Sequence, residues 1–253
     1  MALDYEALRG AFRWEIPARF NIGAACADAH EPSRLALIDG SPDGGRNEYR
    51  FGDVATLSNR LANALRGLGV ARGDRIGIIL PQRLETALTH LATYKLGAIA
   101  VPLSGLFGPE ALRYRLGDCE PRVVVTDGAH VDRVTEALDD LDTVMITIDR
   151  PASGQHGFER LVQAAASTFS PVDTAADDPA LIIYTSGTTG APKGALHAHR
   201  VLLGHQPGFR LSHDGFPRED DRFWTLRPRA LLRGRGPRRV QREVPREVRQ
   251  VPV

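Results

Sequence analysis

The chain has 253 residues with a formal net charge of +1, 42% apolar and 25% charged residues, a globular balance that excludes bulk disorder. The length allows one large domain or two small ones. Two cysteines, Cys26 and Cys119, exclude a disulfide framework, and uncharged stretches no longer than 14 residues, each broken by Gly and Pro, exclude a membrane span.

Taken in order, the elements alternate. No basic-then-apolar start marks a secretory signal. From Asp53 to Leu68, the residues Val54, Leu57, Leu61, Ala64, Leu65 and Leu68 recur at helical spacing, and Gly67 and Gly69 end the pattern. Arg75 to Leu80 reads as a buried strand closed by Pro81. A helix from Arg83 to Leu96 follows, with Gly97 as its stop. Ile99 to Leu103 reads as a strand, and Pro102 predicts a place near a sheet edge. Pro109 to Gly117 is predicted helical with Pro in its first turn. Then come a strand at Val123 to Val125, a helix from Val131 to Leu138, a strand from Val144 to Ile148 and a helix from Phe158 to Ala166. Ala180 to Tyr184 is the last predicted strand. Apolar strands alternating with helices predict an α/β fold, a largely parallel sheet flanked by helices.

Charge is uneven. Residues 226 to 253 hold nine Arg, two Glu, four Pro and no aromatic residue, so this segment carries +7 and the remainder −6. The break predicts a boundary near 225. Val240, Val244, Val248 and Val251 sit at helical spacing between arginines, as in a basic helix for a membrane surface or nucleic acid. Pro245 would break that helix, so the expectation is an unstructured or frame-shifted tail without a specific nucleic-acid role. Thirty Arg against two Lys fits GC-rich coding, in which a shifted frame readily yields Arg, Pro, Gly and Val.

One segment carries chemistry. After the strand ending at Tyr184 come Thr185, Ser186, Gly187, Thr188, Thr189, Gly190, Ala191, Pro192, Lys193 and Gly194, then helical residues including Val201, Leu202 and Leu203. The expected order is strand, glycine-rich loop, helix, with a ligand at the carboxyl edge of the sheet. Glycines let backbone N–H groups approach an anion, hydroxyls donate further hydrogen bonds, and Lys193 adds a compact positive charge. A polyphosphate fits that set. The spacing is not that of a Walker-type loop, because Pro192 stands where its second Gly belongs when the count starts at Gly187. Ser186 is not in a Gly-x-Ser-x-Gly elbow, so a hydrolase nucleophile is not read here. His197, His199, His205 and His213 lack the shared face and the acidic or thiol partners of a metal site, and read as helix-surface or pocket-wall residues. Asp139-Asp140 and Asp177-Asp178 read as solvated turns, and both cysteines as buried or half-buried thiols.

Tyr184 through Gly194 resembles the phosphate-binding signature of the adenylate-forming, or AMP-binding, enzymes. Arg72-Gly73-Asp74-Arg75 and Leu96-Gly97-Ala98-Ile99 resemble landmarks upstream of that loop. Phe20-Asn21-Ile22-Gly23 and His197-Ala198-His199-Arg200 look most like acetyl- and medium-chain acyl-CoA synthetases. The resemblance covers about residues 15 to 225. It implies a partial N-terminal adenylation domain over 1–225, with 226–253 as tail and the C-terminal lid domain absent. It implies a ligase that activates a carboxylic acid with ATP and passes the acyl group to coenzyme A, with Mg²⁺ brought by the nucleotide. The two cysteines without a disulfide framework and the lack of a signal or span separately predict a reducing, cytoplasmic setting. Lys193 would meet phosphate charge. Thr185, Ser186, Thr188 and Thr189 would donate hydrogen bonds, and Gly187, Gly190 and Gly194 would shape the backbone.

Downstream family motifs do not occur in these residues. There is no aromatic-Gly-x-Thr-Glu, no Thr-Gly-Asp, and no lysine after Lys193. No residue is therefore given a catalytic or metal-ligating role. Partners implied are ATP and a small carboxylic acid, with room for a second polypeptide supplying the missing domain. The alternative reading is a truncated, inactive product that binds nucleotide phosphates weakly.

Overall fold

Runs such as Val123-Val124-Val125 offer no polar side to water, so strands built from them need cover on both faces. The computed structural model, which describes residues 5–40, 45–149, 151, 154–185 and 190–213, shows that arrangement. Helix α1 (Tyr5–Ala11) and a π-helical turn (Ala24–Asp28) lead into a hairpin of β1 (Leu35–Gly40) and β2 (Arg46–Arg50). There follow α2 (Phe51–Gly67), β3 (Arg75–Ile79), α3 (Leu84–Lys95), β4 (Ile99–Pro102), α4 (Pro109–Cys119), β5 (Val123–Thr126) and α5 (Val131–Ala137). The chain continues through β6 (Val144–Thr147), the short β7 (His156–Gly157), α6 (Phe158–Ala164), β8 (Pro179–Thr185), β9 (Lys193–Ala198) and α7 (Val201–Ser212).

The main sheet runs in the order β7-β6-β5-β3-β4-β8-β9, and every pairing but the last is parallel. Alternate side chains enter alternate layers. Ile76, Ile78, Ala100, Val123 and Val125 pack with Leu61, Leu65, Leu88 and Phe158 from α2, α3 and α6. Ile79, Val101 and Val124 pack with Leu112, Leu116 and Val134 from α4 and α5. The two layers leave the strand ends as the places where polar side chains can meet a ligand.

Three sequence readings change. The segment after the glycine-rich loop is a strand before it is a helix: β9 returns antiparallel along β8, so the loop closes a hairpin instead of opening a helix. Its Gly194, Ala195 and Ala198 have low strand propensity, and sheet pairing decided their state. Second, β4 lies inside the sheet between β3 and β8. Pro102 is tolerated there because it is the strand's last residue. The amides of Ile99 and Leu103 donate to β3-side carbonyls, so the missing donor at Pro102 falls on the other side. Third, the β1–β2 hairpin is absent from the predicted elements, since Arg46 to Arg50 is polar almost throughout.

Two upstream landmarks hold each other. Gly73 and Gly97 have φ of +87° and +66°, and the Gly73 amide donates to the Gly97 carbonyl at 2.9 Å. Side chains there would strain the left-handed backbone. The turns fix where β3 and β4 begin.

The N-terminal segment is tied down by charge. Lys95, at the end of α3, has a fully buried side chain whose Nζ donates to Asp28 Oδ1 at 2.8 Å and Asn59 Oδ1 at 2.7 Å. Burial pulls its pKa below the ordinary lysine value, against the opposing effect of Asp28. A buried ammonium without its acid is strongly destabilising, whereas an apolar replacement removes the charge together with its desolvation cost. Asp28→Ala is therefore expected to cost about 3 kcal/mol in urea unfolding, and Lys95→Met less than half as much. Equal losses would contradict the charge argument.

Candidate phosphate-binding site

The glycine-rich loop leaves the carboxyl end of β8 and returns at β9. Thr185 lies directly opposite Lys193, and Tyr184 opposite Gly194. Thr185 and Lys193 are both exposed. Among the described residues no carboxylate pairs with Lys193, so its charge is available to an anion. Gly190 has a φ of +101°, a backbone state that L side chains rarely adopt. Ser186, Gly187, Thr188 and Thr189 lie outside the described residues. The structure thus brings Thr185, Gly190, Lys193 and Gly194 to one hairpin end at the predicted edge of the sheet.

Gly194 has a packing reason of its own. A Cβ there would stand 2.9 Å from Ile182 Cγ2 and 3.3 Å from Tyr184 Cζ. Beneath it the Tyr184 hydroxyl donates to Asp118 Oδ2 at 2.5 Å. Burial first, and Asp118 second, keep that phenol protonated far above its ordinary pKa. Cys119, next to Asp118, is a buried free thiol whose pKa burial raises to about 11.

Other polar pairs cap neighbouring strand ends. Asp127, just after β5, pairs with His130. Asp149, after β6, accepts from the Gly128 amide at 2.6 Å. Arg83, after β3, is bidentate to Glu85 at 2.6 and 2.9 Å. None of these was read from the sequence, because each depends on which strands end side by side. Among the described residues no group of three His, Cys, Asp or Glu could hold a metal ion, and no helix is long and apolar enough to cross a membrane.

The four histidines do not share one helix. His197 lies in β9, His199 in the turn after it, and His205 in α7. His213 follows α7, its Nδ1 2.8 Å from the Phe209 carbonyl oxygen. His199 is fully buried, and its Nδ1 accepts from the Ile22 amide at 3.2 Å. Asn21, beside it, donates to the carbonyls of Tyr94 at 2.7 Å and Val172 at 3.2 Å. The two stretches that most suggested acyl-CoA synthetases, at 20–23 and 197–200, therefore meet in space.

The family model for the AMP-binding enzymes matches residues 25–231. The chain belongs to the AMP-binding enzyme family. Among its relatives, the acetyl-coenzyme A synthetase of Pasteurella multocida is 33% identical over 236 residues, 84% of this chain and 36% of that protein. The Magnetococcus marinus acetyl-coenzyme A synthetase is 30% identical over 217 residues, 77% of this chain and 34% of that one. The chain spans little more than a third of the length of these curated relatives. Among solved structures, a Brucella canis acyl-CoA synthetase superposes with a TM-score of 0.73 at 28% identity, over 87% of this chain and 40% of its own. The ATP-bound MatB of Rhodopseudomonas palustris gives 0.65 at 27% identity, over 76% and 37%. The helix-flanked, largely parallel sheet of this AMP-binding enzyme chain is the one it shares with these two solved structures over the matched region.

Burial lowers the His199 pKa to about 4, with Asp178 opposing that shift and Arg72 adding to it. The unfolded chain takes up a proton near the ordinary 6.5 that the folded chain refuses until about pH 4. The stability of this neutral histidine is thus complete above pH 6.5 and lost as pH falls toward 4, by ~3 kcal/mol. His199→Asn keeps an acceptor for the Ile22 amide but cannot titrate. Unfolding midpoints of that variant should fall less between pH 6.5 and 4 than those of the parent; identical slopes would exclude His199 as the source.

Proposed function

We propose that this chain is the phosphate-gripping part of an ATP-dependent, AMP-forming acyl-CoA synthetase. The observation that carries the reading is the hairpin that sets Lys193, which has no carboxylate partner among the described residues, opposite Thr185, across a loop rich in glycine and hydroxyls at the carboxyl edge of the sheet. In the reaction proposed for the whole enzyme, a carboxylate oxygen of the acid attacks the α-phosphorus of ATP. The bond from that phosphorus to the bridging oxygen breaks, and pyrophosphate leaves. The thiol of coenzyme A then displaces AMP to give the thioester.

Within that scheme Lys193 meets the β- and γ-phosphates. Thr185, Ser186, Thr188 and Thr189 donate hydrogen bonds, and Gly187, Gly190 and Gly194 permit the backbone path. Charge grows on the departing pyrophosphate oxygens, so donors fixed beforehand around them stabilise the transition state more than the ground state. Magnesium would arrive on the nucleotide's own phosphates, since the described residues offer no acidic cluster to hold it. The relatives named acetyl-coenzyme A synthetase support a ligase over an inert phosphate binder.

Calorimetric titration with ATP and Mg²⁺ tests this reading. Removing a charged hydrogen-bond donor costs ~1.5–3 kcal/mol, so Lys193→Ala should weaken binding about ten- to a hundredfold, with Lys193→Arg in between. Equal affinity of parent and Lys193→Ala would overturn the assignment.

A further inference from the structure

The hairpin that carries Lys193 is weakly anchored by its sheet. Strand β8 pairs with β4 at Leu181↔Ala100, three residues before Tyr184. Beyond that point, Ile182 to Thr185 pair with β9, whose residues Lys193 to Leu196 are exposed. A two-stranded ribbon of this kind is marginal by itself.

Tyr184 supplies what the ladder lacks. Its hydroxyl reaches down to α4, donating to Asp118 Oδ2 at 2.5 Å with the Arg115 carbonyl oxygen at 3.2 Å. Its ring supports the β9 backbone at Gly194, the residue after Lys193, where a Cβ would crowd it. The Arg115 guanidinium lies 5.9 Å from the ring centroid and 4.1 Å from that of Phe107. Arg115 is 8% exposed. Its Nη1 donates to the Ala111 carbonyl at 2.7 Å, while its buried Nε has no partner among the described residues. Among the described residues no carboxylate pairs with Arg115. It is therefore held by two aromatic faces and a helix carbonyl, an arrangement that depends on Tyr184 staying in place.

We infer that Tyr184, clamped by Asp118 and Arg115 of α4, is the positioning residue that holds the loop end of the β8–β9 hairpin and so fixes Lys193 for the phosphates. The inference rests on the phosphate-loop reading for its ligand, but the clamp itself can be measured without one. Tyr184 touches no phosphate in this account. It acts through the strand ends on either side of the loop.

The test uses the full chain, amide hydrogen exchange and calorimetric titration with inorganic pyrophosphate and Mg²⁺. Tyr184→Phe removes only the hydroxyl, and Asp118→Ala only its acceptor. Each should raise exchange at the β9 amides of Lys193, Gly194 and Ala195 that are protected in the parent by about two- to tenfold, with α2 unchanged, as losing a hydrogen bond worth ~0.5–1.5 kcal/mol implies. The pyrophosphate Kd should rise by a similar factor. Asp118→Asn keeps an acceptor oxygen and should restore both values, which a loss of global stability would not do. Unaltered exchange in Tyr184→Phe overturns the clamp, whatever happens to pyrophosphate. Faster exchange with an unaltered Kd, when Lys193→Ala does weaken binding, overturns the positioning role. If the parent chain does not bind pyrophosphate at all, the phosphate-loop reading fails and takes the positioning role with it, while the exchange data still report whether the clamp exists.

Discussion

The parallel pairing of β3, β4, β5, β6 and β8 is the constraint on which the rest depends. A parallel strand needs a crossover, and the crossover helices cover both faces of the sheet. Neighbouring residues of one strand then serve different layers: Val123 and Val125 face α2 and α6, and Val124 faces α4. With both faces dry, chemistry is confined to the strand ends. Polar residues after β3, β5, β6 and β8 gather at one edge for that reason.

At this edge the glycine-rich hairpin departs from the parallel pattern. Its antiparallel return sets Lys193 against Thr185, which no crossover helix would do. The same return leaves the hairpin with little sheet support, and α4 makes up the difference through Tyr184 and Asp118. The arrangement links core to site: helix α4, which packs Leu112 and Leu116 into the core, also offers Tyr184 the Arg115 backbone carbonyl and, from its exposed side, the Asp118 carboxylate. Substitutions in α4 would thus be felt at the phosphate end without touching a ligand.

Much of this was legible in the chain. The helices at 51–67, 84–95 and 109–119 and the strands at 75–79, 99–102, 123–126 and 144–147 follow from periodicity, glycine stops and a proline start. The candidate site at Thr185, Gly190, Lys193 and Gly194 was legible as a segment because glycines, hydroxyls and one lysine crowd together there, directly after an apolar run. The interior place of β4 was not, because Pro102 is read locally while an edge is a property of the whole sheet. The burial of His199 was not, because its partner, the Ile22 amide, is far off in sequence. The burial of Lys95 was not legible either. Its ion pair with Asp28 depends on a π-helical turn that no periodicity announces.

The sequence by itself determined the alternation of strands and helices, the glycine- and hydroxyl-rich segment and its place after a strand, and thereby the resemblance to the family. Those features are local: each is encoded within a few residues of the atoms that use it. Only the tertiary structure decided the strand order, the hairpin return, the burial of Lys95 and His199, and the support of Tyr184 by Asp118 and Arg115. Each of these joins residues distant along the chain, and such contacts are set by which surfaces can be buried together and which buried charges find a partner.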